Sequence, residues 1–172
     1  MYKIGFYIVL LGFLSACAEE EPEPEPELNW SKIDSSNFGQ EVAIQEEIDI
    51  KLYLEMHRDW KTTVTGSGLR YYVYKEGDGE SPSPDDIAEI EYEITLLDGT
   101  ECYKTPSTEY EEVVVDRSDV ESGVQEALKI MKVGDHAKLI IPSHIGHGVV
   151  GDMDKIPPLT TLVIDIHLLG IK

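Results

Sequence analysis

The spacing of hydrophobic and polar residues changes along this chain, and the changes divide it into segments. Residues 4–14 (IGFYIVLLGFL) form a continuous apolar run. It is about half of the roughly 20 residues that a membrane-spanning helix needs, so it predicts an export signal rather than a permanent anchor. Residues 18–27 (AEEEPEPEPE) have no apolar period and predict a solvated spacer, stiffened by proline and charge repulsion. From Gln40 to Trp60, Ile44, Ile48, Leu52, Met56 and Trp60 recur every fourth residue, while Glu46, Glu47, Lys51 and Arg58 fall largely elsewhere. That pattern predicts an amphipathic helix whose apolar face docks on something.

Beyond Trp60 the period shortens to two. Leu69–Tyr74, bracketed by glycines, reads as a strand. Within Ile87–Leu97, Ile90, Tyr92, Ile94 and Leu96 alternate with Glu89, Glu91, Glu93 and Thr95, which predicts an antiparallel sheet with one wet face. Asp98-Gly99 marks a hairpin into Thr100–Tyr103, and Val113–Val115 is a further short strand. Val120, Val124, Ala127, Leu128 and Met131 stand at helical spacing, with Gly134 as the stop. Ala137–Ile141 and Thr161–Leu169 are the last two strands; the loop of about twenty residues between them is long enough to predict function or internal order. The fold class is therefore α+β, with several antiparallel strands and one short helix on one face.

Charge and cysteine content narrow the partners. Lys and Arg total 14 against 34 Asp and Glu, for a net charge of −20. Nucleic acid is excluded as a partner, since phosphate binding needs basic side chains to displace counterions. The same charge repels anionic headgroups, so electrostatics cannot hold this chain to a membrane. Of the two cysteines, Cys17 follows Leu14-Ser15-Ala16, a run that resembles the lipobox of bacterial lipoproteins. The resemblance implies a lipid on Cys17, cleavage before it, and a mature chain tethered in the cell envelope, at the periplasmic or outer face of the outer membrane. Cys102 is then a lone thiol, expected to be a small core residue. The organisation read this way is a signal over 1–16, an acidic tether over 17–36, an amphipathic helical segment over 37–62 and one domain over 63–172.

Within that last domain, residues 127–171 carry Met131, Val133-Gly134, Ala137-Lys138-Leu139, Ile141, Gly148, Ile156-Pro157-Pro158, Thr161-Leu162-Val163 and Asp165 in a fixed order and spacing. Upstream stand Tyr92, Leu97-Asp98-Gly99-Thr100 and the run SGLRYYVYKEGDG at 67–79. Together these resemble the FKBP-type peptidyl-prolyl isomerases, and the layout of signal, spacer, helix and domain is similar to gliding-motility-associated lipoproteins of that family. The resemblance implies a twisted antiparallel sheet of five to six strands curled around one short helix, preceded here by the amphipathic helix, with an apolar cleft between sheet and helix. It also implies rotation of Xaa-Pro bonds in exported proteins, a reaction that needs no cofactor or metal. Rotation crosses an amide barrier of about 18 to 20 kcal/mol, so a dry cleft that favours the twisted amide suffices.

Carried over by position, the resemblance places Tyr92, Val120 and Ile156 on the cleft walls and the backbone N–H of Glu121 where the family donates a hydrogen bond to substrate. It also marks departures. The aromatic-Asp pair after the hairpin is Cys102-Tyr103, the Trp of the cleft floor is Val124, the late-loop Tyr is His147, and the Phe of the last strand is Ile164. Val124 leaves a deeper pocket that Tyr103 could partly refill by turning inward. The expectation is an isomerase with a degenerate cleft and weak activity. The second reading is a noncatalytic binding module that holds an envelope partner. His144, His147, Asp152 and Asp154 share one loop, but spacing alone does not make a metal site, and solvated loop residues are expected there.

Overall fold

The structure, a computed structural model, describes residues 32–172, with side chains from Asn37 onward. The export signal, Cys17 and the Glu-Pro spacer lie outside the described residues. Helix α1 spans Lys32–Met56, and the strands are β1 Thr63–Val64, β2 Arg70–Lys75, β3 Ile87–Leu96, β4 Glu101–Lys104, β5 Glu111–Val114, β6 His136–Ile141 and β7 Leu162–Ile171. Helix α2, Ser122–Ile130, interrupts them between β5 and β6, and a single 3-10 turn follows β6 at Ser143–Ile145. Among the described residues no helix is long and apolar enough to cross a membrane.

All strand pairs are antiparallel, in the order β1-β2-β6-β7-β3-β4, with β5 also on β3. Two-residue alternation decides which side of the sheet is dry. Ala88, Ile90 and Ile94 of β3, Ala137, Leu139 and Ile141 of β6, and Leu162, Ile164, Ile166 and Leu168 of β7 are buried in one core with Val124, Ala127 and Leu128 of α2. Helix α2 can lie this close because Gly123 has no side chain; a Cβ there would stand 2.8 Å from Ile141 Cγ2. Gln125, buried in the same helix, donates from Nε2 to the Ser118 carbonyl at 3.1 Å and accepts from the Asp116 N–H at 2.8 Å, so its burial costs no unmet hydrogen bond. This is the α+β fold expected from the sequence, seven strands rather than five or six once the two-residue β1 is counted.

Strand β3 serves two neighbours on one edge, because β5 covers Ile87–Ile90 and β4 covers Glu93–Thr95. Between the two, the main chain of Tyr92 exchanges bonds with Thr105: the Thr105 N–H donates to the Tyr92 carbonyl at 2.9 Å, and the Tyr92 N–H donates to Thr105 Oγ1 at 3.1 Å. The chain from 105 to 110 thus leaves the sheet beside Tyr92 and returns.

Helix α1 corrects the expectation for its docked face. Ile44 and Met56 are 61% and 73% exposed, and Ile48 and Leu52 are exposed with them. Ile50 is buried instead, flanked by half-buried Val42, Tyr53, Leu54 and His57. The physical reason is polar. Glu46 is buried and bonded to Ser143 and Thr161, and Glu47 meets Arg70 of β2 at 2.5 Å, so the two acids turn that side of the helix inward. At the end of the helix a run of rings continues the contact: His57 stacks on Tyr53 at 4.2 Å and lies 4.6 Å from Trp60, which reaches Tyr72 of β2 at 6.5 Å. Ile50→Ala should cost about 2–5 kcal/mol, and Leu52→Ala no more than about 0.5 kcal/mol, in urea unfolding followed by circular dichroism. Equal losses would refute this assignment of the faces.

On the outer face, His136 and His167 pair across β6 and β7 with ring centroids 3.6 Å apart. Burial, the facing His167 and Lys75 hold the His136 imidazole below its ordinary pKa. The unfolded chain therefore takes up this proton first as pH falls. Stability is full above about 6.5 and declines as pH drops toward the lower folded value. Asp152 and Glu47, whose carboxyls are held below their usual range, release their contributions only at more acidic pH. The thermal midpoint should thus fall between pH 7.5 and 5.5, and His136→Gln should flatten that slope.

Candidate functional site

A cleft of about 620 Å³ opens between α2 and the concave face of the sheet. Its floor and walls are laid by alternation in the strands: β3 contributes Ile90, Tyr92 and Ile94, β5 Val113, and β7 Ile164 and Ile166. Val120 and Val124 close it from the α2 side, and Tyr103 of β4 stands at the mouth. Seven of the residues expected at the site therefore come together here, namely Tyr92, Tyr103, Val120, Glu121, Val124, His147 and Ile164.

Cys102 and Ile156 are not on the lining. Cys102 falls in the register shift of β4 on β3, between Tyr103, opposite Ile94, and Glu101, opposite Thr95; its side chain is in the core, 2% exposed, with Sγ 3.9 Å and 3.8 Å from the Thr100 and Lys155 carbonyls. Burial leads the causes that push its thiol pKa upward, which leaves it inert. Ile156 is buried behind the wall, its N–H donating to Asp152 Oδ1 at 2.7 Å.

The cleft has not closed on Tyr103. The phenol donates to Asp152 Oδ2 at 2.5 Å and Lys155 Nζ lies 4.7 Å from its ring, so the ring is tied to the late loop rather than turned into the space beside Val124. That bond pushes the Tyr103 phenol up to about 12 and, with the N–H groups of Asp154 and Ile156, holds Asp152 down at about 2. Asp152 was missed in the sequence as a wall residue, because its partner Tyr103 is 49 residues away and no local pattern joins them.

The polar groups converge at the α2 end. Glu121 precedes the helix, and its carbonyl accepts the N–H groups of Val124 at 2.9 Å and Gln125 at 3.1 Å. Its own N–H has no acceptor among the described residues. His147 Nε2 lies 3.0 Å from Glu121 Oε1. Burial, then a hydrogen bond to Glu111, raises the Tyr92 phenol well above its ordinary pKa, and that bond directs its hydroxyl to the Glu111 carboxylate. His144 turns elsewhere, with Nε2 2.8 Å from the Ser67 carbonyl. Among the described residues no three His, Cys, Asp or Glu side chains gather as a metal ion would require. The arrangement offers a chamber with an aliphatic floor, polar groups at the α2 end (Glu121, His147) and at the late loop (Tyr103, Asp152), and, among the described residues, no activated nucleophile. It can grip and polarise an uncharged segment, and it does not suit bond cleavage.

Comparison with known proteins agrees with this geometry. The family model for FKBP-type peptidyl-prolyl cis-trans isomerases matches residues 78–169. FkpA of Escherichia coli K12 is 37% identical over 131 residues, covering 76% of this chain and 48% of that protein. The FKBP-type 22 kDa isomerase of the same organism is 35% identical over 107 residues, covering 62% of this chain and 52% of its own length. The chain thus spans about half the length of these relatives. Among solved structures, E. coli FkpA superposes with a TM-score of 0.66 at 30% identity, covering 81% of this chain and 64% of that one. A Pseudomonas syringae peptidyl-prolyl isomerase does so with 0.60 at 27%, covering 73% and 95%. With a matching family model over more than half its length and the sheet, helix and cleft in place, the chain belongs to the FKBP-type peptidyl-prolyl cis-trans isomerase family.

Proposed function

We propose that this chain is an isomerase of Xaa-Pro bonds that assists the folding of exported proteins while tethered in the bacterial cell envelope through lipid on Cys17. The observation that carries the reading is the open chamber with its aliphatic floor, at whose rim the N–H of Glu121 has no acceptor among the described residues. A prolyl ring leaves water for the chamber, and a donor at the rim holds a flanking carbonyl while the amide twists. Each 1.36 kcal/mol favouring the twisted amide over the planar one is worth about tenfold in rate. Aliphatic Val124 and Ile164 grip a ring less closely than aromatic walls would, so the activity is weak.

Exchange NMR on Xaa-Pro peptides tests this directly. Added protein should speed cis-trans exchange above the slow spontaneous rate. Exchange at the buffer rate, with peptide resonances still shifting, would replace the enzyme by the second reading, a binding module for an envelope partner, which the same aliphatic walls support. For the tether, Cys17→Ser should move the protein from the membrane fraction of its host to the soluble one, and unchanged fractionation would dismiss the lipid.

A further inference from the structure

Helix α1 is joined to the cleft through one carboxylate. Glu46 is 9% exposed, and all three of its partners are neutral donors. Oε1 accepts from the Ser143 N–H and the Thr161 hydroxyl, each at 2.8 Å, and Oε2 accepts from the Ser143 hydroxyl at 2.8 Å. The two residues that supply these three donors, Ser143 and Thr161, are themselves buried, and they are 97 and 115 residues away in sequence. So much chain is brought to a single side chain that losing it leaves three buried donors to be satisfied anew.

What those partners hold is part of the cleft. The Ser143 carbonyl accepts the N–H groups of Gly146 at 3.0 Å and Gly148 at 2.8 Å, and Ser122 Oγ donates to the Ile145 carbonyl at 3.1 Å. Between the two glycines stands His147, with its imidazole on Glu121. Gly146, His147, Glu121 and Ser122 all line the cleft. Thr161 immediately precedes β7, which supplies Ile164 and Ile166 to the same walls.

We propose that Glu46 is a positioning residue for the cleft: by holding Ser143 and Thr161 it fixes the turn that presents His147 to Glu121, and so makes the docked helix α1 part of the substrate site. The geometric claim stands apart from the Xaa-Pro reading, and only its kinetic readout rests on that reading.

The test uses the full chain with Glu46→Ala, Glu46→Gln, Thr161→Val and a remote control, Asp135→Ala. Asp135 is buried and accepts from Gly77 N–H at 2.6 Å and Lys132 N–H at 2.8 Å, so its loss destabilises the fold without touching Ser143. In Glu46→Ala, amide exchange at Gly146 and Gly148 should quicken by roughly tenfold or more and the His147 ring resonances should move. The KM for Xaa-Pro peptides should rise roughly tenfold, with kcat changing much less. Glu46→Gln should restore wild-type values, since its carbonyl oxygen still accepts from Ser143 N–H and Thr161 while its amide donates to Ser143 Oγ.

Glu46→Ala with wild-type glycine exchange and an unmoved His147 would overturn the proposal. So would Asp135→Ala reproducing the same changes, since the effect would then be global. If Glu46→Ala does not fold, Thr161→Val decides. It removes one bond of three and should shift the same signals less far, and wild-type signals there would also overturn the proposal. If the wild-type chain itself catalyses no isomerisation, only the enzyme reading fails, and the exchange and ring resonances still decide the role of Glu46.

Discussion

Gly151→Ala is expected to lower stability by about 3 kcal/mol or more and to empty the cleft of its late-loop wall. Gly151 has φ +70, and a Cβ placed on it would stand 2.2 Å from the Ile156 carbonyl oxygen and 2.8 Å from the Pro157 carbonyl carbon. Both atoms are backbone, so neither can swing aside, and a left-handed φ adds its own penalty for any residue with a side chain. The loop must therefore open. The next residue, Asp152, accepts from the Asp154 and Ile156 N–H groups and the Tyr103 hydroxyl, and these bonds go together. A thermal scan should show the midpoint falling by roughly 10 °C, since each kcal/mol moves a chain of this size by about 2–4 °C or slightly more. The Tyr103 ring resonances and Xaa-Pro exchange should change with it. A variant that keeps the wild-type midpoint would mean that the 148–156 loop is far softer than its bonds indicate.

Val124→Trp is expected to act in the opposite direction on activity, raising kcat/KM for Xaa-Pro peptides roughly tenfold, about 1.4 kcal/mol of transition-state stabilisation. Val124 is on the cleft side of α2, and the chamber beside it is open. An indole there gives the prolyl ring a flat apolar surface, which an isopropyl group cannot. The larger side chain should cost about 1–3 kcal/mol of stability, so the midpoint falls while the rate rises. Cys102→Phe offers a contrast, because position 102 faces the core. The added ring should destabilise the fold without helping the reaction. Equal rates for Val124→Trp and wild type would show that this wall of the cleft does not limit catalysis.

Much of the sheet was legible in the sequence, because alternation over Ile87–Leu97 is long and the charges on its wet face are unambiguous. The docked side of α1 was not. A glutamate in a helix reads as solvent-facing, and Glu46 is buried only because Ser143 and Thr161, on the far side of the sequence, supply its donors. The four-residue recurrence of Ile44, Ile48, Leu52 and Met56 is a true helical stripe, but periodicity does not say which stripe the fold will cover. At the site, alternation could not tell Tyr103 from Cys102, because the register of β4 on β3 shifts there: Tyr103 pairs with Ile94 and Glu101 with Thr95, leaving Cys102 between them. Tyr92, Val124, His147 and Ile164 were found through likeness to a family. The bond between Tyr103 and Asp152 follows from no local signal, since it joins a strand to a loop that comes together only in three dimensions.

The divided edge of β3 has a mechanical consequence. Because β5 holds one end of the strand and β4 the other, residues 106–110 carry none of the pairing on β3, and Thr105 alone ties the excursion to it. Residues can be added to or removed from 106–110 while β4 and β5 keep their register on β3.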